Sequence, residues 1–299
     1  MTETVVTTEG LTKKYGERAV ADGVSLTVQK GELYGFLGPN GAGKTTTLRM
    51  LLGLTRPTSG SASVLGHQPG DKAATARTGA LIESPGFYPY LSGRANLRVM
   101  ARYLGLADSA ADAALERAGL HTRGAELFRS YSLGMKQRLG VASALLGDPD
   151  LLILDEPTNG LDPAGMADMR HLLKELAQHG KTVLLSSHLL TEVQDICDRV
   201  GVISHGRLVS QSTVADIRGI SSLYVRAEPL DVALAVAMRI AGDDAVQLLG
   251  DGIRLDASAT TASELARALV EEGALLHELR VHERSLEEAF FQITEGMQP

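Results

Sequence analysis

Gly38-Pro39-Asn40-Gly41-Ala42-Gly43-Lys44-Thr45 constrains this chain more than any other stretch. It fits the pattern G-x-x-x-x-G-K-[ST]. It follows an apolar run, Leu33–Leu37, and precedes a helical one, Thr46–Leu52. Strand, glycine-rich loop and helix in that order are what a phosphate-binding loop requires. The glycines let consecutive backbone N–H groups line an anion-sized hollow, and the helix aims its positive end at the same place. Lys44 can reach the outer phosphates as a point charge, and the Thr45 hydroxyl can ligate Mg²⁺. By average residue usage the pattern arises by chance in about one chain in a hundred of this length, before its strand and helix are counted.

A chain of 299 residues suggests two domains and can bury a sizeable core. Its net charge of −7 argues against a nucleic-acid partner recruited by phosphate attraction. The single cysteine, Cys197, allows no internal disulfide and sits in an apolar-periodic helix, where a small core residue is expected. The start has no basic segment followed by an apolar core, and no apolar run approaches the roughly 18 to 20 residues that cross a bilayer. An intracellular protein is therefore expected, with any membrane role exerted through a partner.

Alternation and turn residues predict a strand pair over residues 4–30, then the strand, loop and helix over 31–65. Residues 92–148 read as mostly helical. Residues 149–210 alternate strand and helix: Leu151–Leu154, Gly165–Gln178, Thr182–Ser186, Leu189–Asp198 and Val200–Ser204. That order implies a parallel sheet with crossover helices. Beyond it the pattern changes: strand Ser221–Arg226, helix Asp231–Ile240, strands Ala245–Leu249 and Ile253–Asp256, helix Ala262–Glu272, strand Leu275–Val281 and helix Ser285–Ile293. The expectation is an α/β domain over 1–218 and a small α+β domain over 219–299.

Leu151-Leu-Ile-Leu leads into Asp155 and Glu156, as a buried parallel strand ending at a ligand site would. Asp155 is placed to hold Mg²⁺ through water, and Glu156 to orient or deprotonate an attacking water. Upstream, Ser132-Leu133-Gly134-Met135 opens a helix over Lys136–Leu146, making a second anion-binding helix start or a plain cap. Tyr15 reads either as a packing residue or as a face for an adenine ring. His188 closes another strand, either as a structural hydrogen-bonder or as a functional one.

Together and in this order, these segments resemble the nucleotide-binding domain of ATP-binding-cassette (ABC) transporters over about residues 4–220. The resemblance implies a P-loop ABC-type ATPase fold: a parallel-sheet core, an antiparallel β subdomain and a helical subdomain. It implies that Tyr15 stacks on adenine, that Gly38–Thr46 is the Walker A loop and that Ser132–Met135 is the signature motif. It further implies that Asp155 and Glu156 are the Walker B pair, that Asp162 closes the D-loop and that His188 is the switch histidine at the γ-phosphate. ATP and Mg²⁺ are the implied ligands. Two copies arranged head to tail would each place Walker A against the other's signature, and a separate transmembrane permease would be driven from the cytoplasmic face.

Three departures from the common pattern stand out. Glu83 replaces the usual glutamine, where a carboxylate can still ligate Mg²⁺ but adds negative charge. Leu133 and Met135 replace glycine and glutamine in the signature. Asn159-Gly160 replaces the commoner Ser-Ala. Glu83 with Pro85-Gly-Phe-Tyr-Pro resembles the branch handling peptide antibiotics such as bacitracin and lantibiotics. The final 80 or so residues, closing on Arg284–Phe291, resemble the C-terminal domain of drug-export ATPases, where a role in dimer contacts or regulation stands beside that of a plain appendage. Phe87, Tyr88 and Tyr90 are either an anchor for the membrane subunit or local packing. The rival to an exporter subunit is a soluble ABC ATPase acting as a nucleotide-gated dimer clamp.

Overall fold

A computed structural model describes residues 3–83, 86–218, 222–256 and 259–282. The chain divides into two compact units between Val214 and Ala215.

The first unit opens with a long strand, β1 (Thr4–Tyr15), which changes partners along its length. Its first half pairs with β3 (Thr27–Gln29) and β5 (Ser59–Val64), its second half with β2 (Arg18–Val24), all antiparallel. The expected strand pair is thus three strands. Bulges in β1 shift its register between partners, so residues 23–28 divide between β2 and β3.

Behind this sheet lies a six-stranded one. Its members are β4 (Leu33–Leu37), β6 (Thr78–Leu81), β7 (Leu151–Asp155), β8 (Thr182–Ser187), β9 (Arg199–Ser204) and β10 (Arg207–Thr213). The order is β10-β9-β4-β8-β7-β6, parallel except for the β9–β10 hairpin. Every residue of β4, β7 and β8 is buried, as expected of central parallel strands covered on both faces. Sequence patterning missed β6: it is four residues long and carries Gly79. A Cβ there would lie 1.9 Å from the Ala144 carbonyl, so the glycine admits the end of a helix.

The helices of this unit are α1 (Lys44–Leu51), α2 (Lys72–Thr75), α3 (Gly93–Tyr103), α4 (Ser109–Arg117), α5 (Leu133–Ala144), α6 (Pro163–Gln178) and α7 (Leu190–Ile196); a short helix, α8 (Val214–Arg218), begins at the division between the units. Helix α5 begins three residues before its expected start, because the Ser132 side chain accepts from the Met135 N–H and caps it. Helix α6 likewise begins at Pro163 behind the cap Asp162. Between the two sheets, Leu11, Phe36, Leu48, Met50, Ile153 and Ile203 are among the buried residues of one core. Each such side chain contributes about 1.5–3 kcal/mol by leaving water. A separate cluster, including Leu97, Leu115, Leu139 and Phe128, holds α3, α4 and α5 together.

The second unit is β11 (Ser222–Glu228), α9 (Leu230–Ala241), β12 (Val246–Leu249), β13 (Gly252–Asp256), α10 (Ala259–Glu271) and β14 (Leu275–His282). Its antiparallel sheet runs β12-β13-β11-β14. Leu223, Val225 and Ala227 alternate into a core with Val236 and Leu269, while Arg226 and Glu228 stay exposed. The helix expected over Ser285–Ile293 lies outside the described residues, as do Ser221 and Pro85.

Candidate active site

The loop after β4 is shaped by close backbone approach. A Cβ on Gly38 would lie 2.3 Å from the Ile203 carbonyl oxygen, and one on Gly43 2.3 Å from that of Val20. Gly43 also sits at φ +103°, a conformation side chains disfavour, as the N-cap of α1. No side chain caps α1, so its first N–H groups remain directed at the loop. Lys44 is buried. Its ammonium donates to the Gly38 carbonyl (2.7 Å) and the Pro39 carbonyl (3.3 Å), and lies 3.1 Å from Glu156 Oε1.

Strands β7 and β8 bring the acids to the same place. Asp155 Oδ2 accepts from Thr45 Oγ1 at 2.7 Å, and its Oδ1 accepts from Ser186 Oγ. Glu156 leaves the strand at φ +49°, a strained turn for a non-glycine residue, and its N–H donates to the Ser186 carbonyl and hydroxyl. That turn points its carboxylate back: Oε1 meets Lys44 and Oε2 lies 2.7 Å from His188 Nδ1. Lys44, Thr45, Asp155, Glu156 and His188, distant in sequence, thus form one constellation. A cleft of about 200 Å³ opens on it, lined by Val20, Asn40, Gly41, Gly43, Lys44, Thr45, Thr46 and Glu156. Ala42 is buried beneath the loop.

The donor set fits Mg²⁺. A hydroxyl and a carboxylate already lie within hydrogen-bond range at the loop, and this ion needs only one or two protein oxygens when phosphates and water complete its shell. No cluster of three or more His, Cys, Asp or Glu side chains suited to a metal occurs among the described residues.

A second, larger hollow of about 470 Å³ lies elsewhere on the same unit and shares no lining residue with the first. Ser132, Leu133, Gly134 and Met135 line one side, and Gly160, Leu161 and Asp162 the other. Leu133 is exposed at this rim, and Asp162 Oδ1 accepts from the Gly165 N–H at 3.0 Å. The Arg138–Asp168 ion pair ties α5 to α6 beside it.

Other expected site residues lie apart. Tyr15 is exposed beside the β1–β2 turn, with the Lys13 ammonium 5.1 Å from its ring centre. Glu83 sits at φ +64° and binds Arg49 of α1 at 2.6 Å, so its carboxylate is engaged by a cation rather than by Thr45 or Asp155. The three aromatics divide. Phe87 packs edge-on against Phe128 at 5.2 Å, in the helical core, whereas Tyr88 and Tyr90 are exposed and 5.7 Å apart.

Sequence reasoning passed over Ser186, Thr158, Glu192 and Arg49. One signal was available: two serines end strand β8 after the apolar run Val183-Leu-Leu, and both are buried. A hydroxyl there needs a polar partner.

Residues 21–159 match the family model described as ABC transporter. The chain is 39% identical to the bacitracin transport ATP-binding protein BcrA of Enterococcus faecalis, over 98% of this chain and 97% of that protein. It is 37% identical to the lantibiotic transport ATP-binding protein SrtF of Streptococcus pyogenes, over 72% of this chain and 94% of that one. A solved structure of the ATP-binding subunit of an ABC transporter superposes with a TM-score of 0.64 at 30% identity, covering 72% of this chain and 92% of the other. Near-complete coverage of a relative at this identity carries both the fold and the family, and the chain belongs to the ATP-binding, ATP-hydrolysing subunits of ABC transporters.

Proposed function

We propose that this chain is the energy-supplying subunit of an exporter of drugs or peptide antibiotics, acting on a separately encoded transmembrane permease of the ABC-2 type. Glu156 carries the hydrolytic part of this reading: one carboxylate is held between the Lys44 ammonium and the His188 ring at the mouth of the phosphate-sized cleft. The likeness to bacitracin and lantibiotic transport subunits supports the branch. No helix among the described residues is long and apolar enough to cross a membrane, which fits attachment at the cytoplasmic face through the permease. The ATPase module is taken as residues 1–218 and the appended α+β domain as 219–299.

The loop N–H groups and Lys44 bind the β- and γ-phosphates of ATP. Thr45 and Asp155 would hold Mg²⁺, which when bound neutralises phosphate charge. Glu156 takes the proton of the attacking water, and its contact with His188 keeps the carboxylate aimed. Tyr15 offers a ring for the adenine. Glu83, a carboxylate at the glutamine position, would be a further Mg²⁺ ligand if released from Arg49. Ser132, Leu133, Gly134, Met135 and Asp162 bind across to the ATP held by a second copy, whose γ-phosphate needs donors that one loop does not supply.

Affinity purification of the full chain from membranes, with and without ATP, tests this reading. Mass spectrometry should find a polytopic membrane protein among the partners. Recovery of soluble partners alone would replace the exporter by a nucleotide-gated clamp.

A further inference from the structure

Glu192 is a buried carboxylate that none of these roles uses. It lies on α7, four residues after His188, on a face otherwise formed by buried Val193 and Ile196. One oxygen, Oε2, accepts two hydrogen bonds: from Thr158 Oγ1 at 2.6 Å and from Ser187 Oγ at 3.2 Å. The other, Oε1, is buried with no hydrogen-bond partner among the described residues. Burying a carboxylate with one oxygen unmatched costs free energy, so stability alone does not account for it.

The two hydroxyls belong to the segments that carry the reacting groups. Thr158 stands two residues after Glu156, and Ser187 immediately before His188. Ser187 Oγ also accepts from the Leu189 N–H at 3.0 Å, spanning His188 with a tight turn. A hydroxyl has one proton. With the Leu189 N–H on the Ser187 oxygen, that proton has two acceptors, the Glu192 carboxylate at 3.2 Å and the Leu189 carbonyl at 3.5 Å, and the nearer, charged oxygen is the stronger one. The strand ladder ties the two segments through the Glu156 N–H and the Ser186 carbonyl. Farther along, Glu192 links them by side chains.

We propose that Glu192 is a positioning residue: by gripping Thr158 and Ser187 on one oxygen, it holds Glu156 and His188 at their 2.7 Å separation. This rests on the proposed assignment of Glu156 as the base. A carboxylate that drifts by about an ångström from the attacking water loses rate without losing the phosphate loop that binds ATP.

The full chain is assayed for steady-state phosphate release and for ATP-binding stoichiometry by calorimetry. Glu192→Ala should lower kcat about 10- to 100-fold while KM for ATP moves less than about threefold and stoichiometry stays full. Glu192→Gln keeps an oxygen that can accept both hydroxyls, and should restore kcat to within about threefold of the parent. Thr158→Val should lower kcat with Thr158→Ser restoring it, and Glu192→Ala with Thr158→Val should be no slower than Glu192→Ala alone. If Glu192→Ala does not fold, the Thr158 pair decides. Unchanged kcat in Glu192→Ala or Thr158→Val, or a kcat loss matched by lost binding stoichiometry, overturns the proposal. Glu156→Gln run alongside separates the two ideas. If it is inactive while the bridge variants are normal, only the bridge fails; if it turns over normally, the assignment of the base fails.

Discussion

The cleft at Lys44 and the hollow at Ser132, both on the first unit, are built on different terms. The cleft at Lys44 is preorganised: its cation and Asp155 are buried, the Lys44 ammonium donates to carbonyls of its own loop, and the Thr45–Asp155 and Lys44–Glu156 contacts tie that loop to β7. The hollow at Ser132 is more than twice as large; Ser132 and Asp162 are each occupied in capping a helix, and Arg138 and Asp168 pair with each other. Leu133 is left exposed there. The first arrangement can bind an anion by itself. The second presents a helix start and an apolar side chain to whatever approaches, as a surface used between copies would.

The largest effect should come from the cleft. Glu156→Gln keeps shape and hydrogen bonding but cannot take a proton, so turnover should fall by about 10²- to 10⁴-fold with ATP binding intact. Phosphate release and calorimetry check this; near-normal release would remove Glu156 from the role of base. Lys44→Ala removes a buried donor to three oxygens, and should weaken ATP binding about 10- to 100-fold. Unchanged affinity would break the contrast, since the cleft would not depend on its only buried cation.

The open hollow makes a different prediction. A Cβ on Gly134 would find nothing closer than Leu161 at 3.8 Å, so a side chain fits without disturbing the fold. Gly134→Asp should therefore melt within a few degrees of the parent and bind ATP normally. Its carboxylate would face the phosphates held by a second copy, and like charges brought together cost several kcal/mol, so hydrolysis should fall by about 100-fold. Full activity in this variant would mean that the hollow has no partner in catalysis.

The same contrast explains what the sequence made legible. Segments whose local pattern dictates their backbone were readable: the glycine loop, the five-residue apolar strand ending in Asp155 and the helix after Gly43. Contacts that depend on two segments meeting were not. Arg49 binding Glu83 and Glu192 gripping Thr158 join residues 34 apart, and no spacing rule connects them. Element ends moved for a related reason. Ser132 and Asp162 are caps, so α5 and α6 begin at once after them, whereas periodicity alone registers the first apolar repeat. The edge strands β6 and β10 have few buried residues to mark them.

The smallest effect lies away from both hollows. Asp148 sits at φ +56° and binds Arg117 at 2.7 Å and Lys181 at 3.0 Å, joining α4 to the start of β8. The Arg117 hydrogen bond first, and Lys181 second, hold its carboxyl below the usual carboxylate range. A lowered folded-state value means that the pairing stabilises the protein above the unfolded value of about 3.9 and is lost as pH falls through the folded one. The side chain is 64% exposed, so solvent screening keeps the contribution below about 1 kcal/mol. Asn tolerates the same backbone conformation, so Asp148→Asn isolates the charge. The variant should melt slightly below the parent at pH 7, and the gap should narrow steadily as pH falls below about 4, where the folded carboxyl starts to protonate. A gap that does not change with pH would assign the loss to packing, and ion pairing would then be no part of what joins the end of α4 to the start of β8.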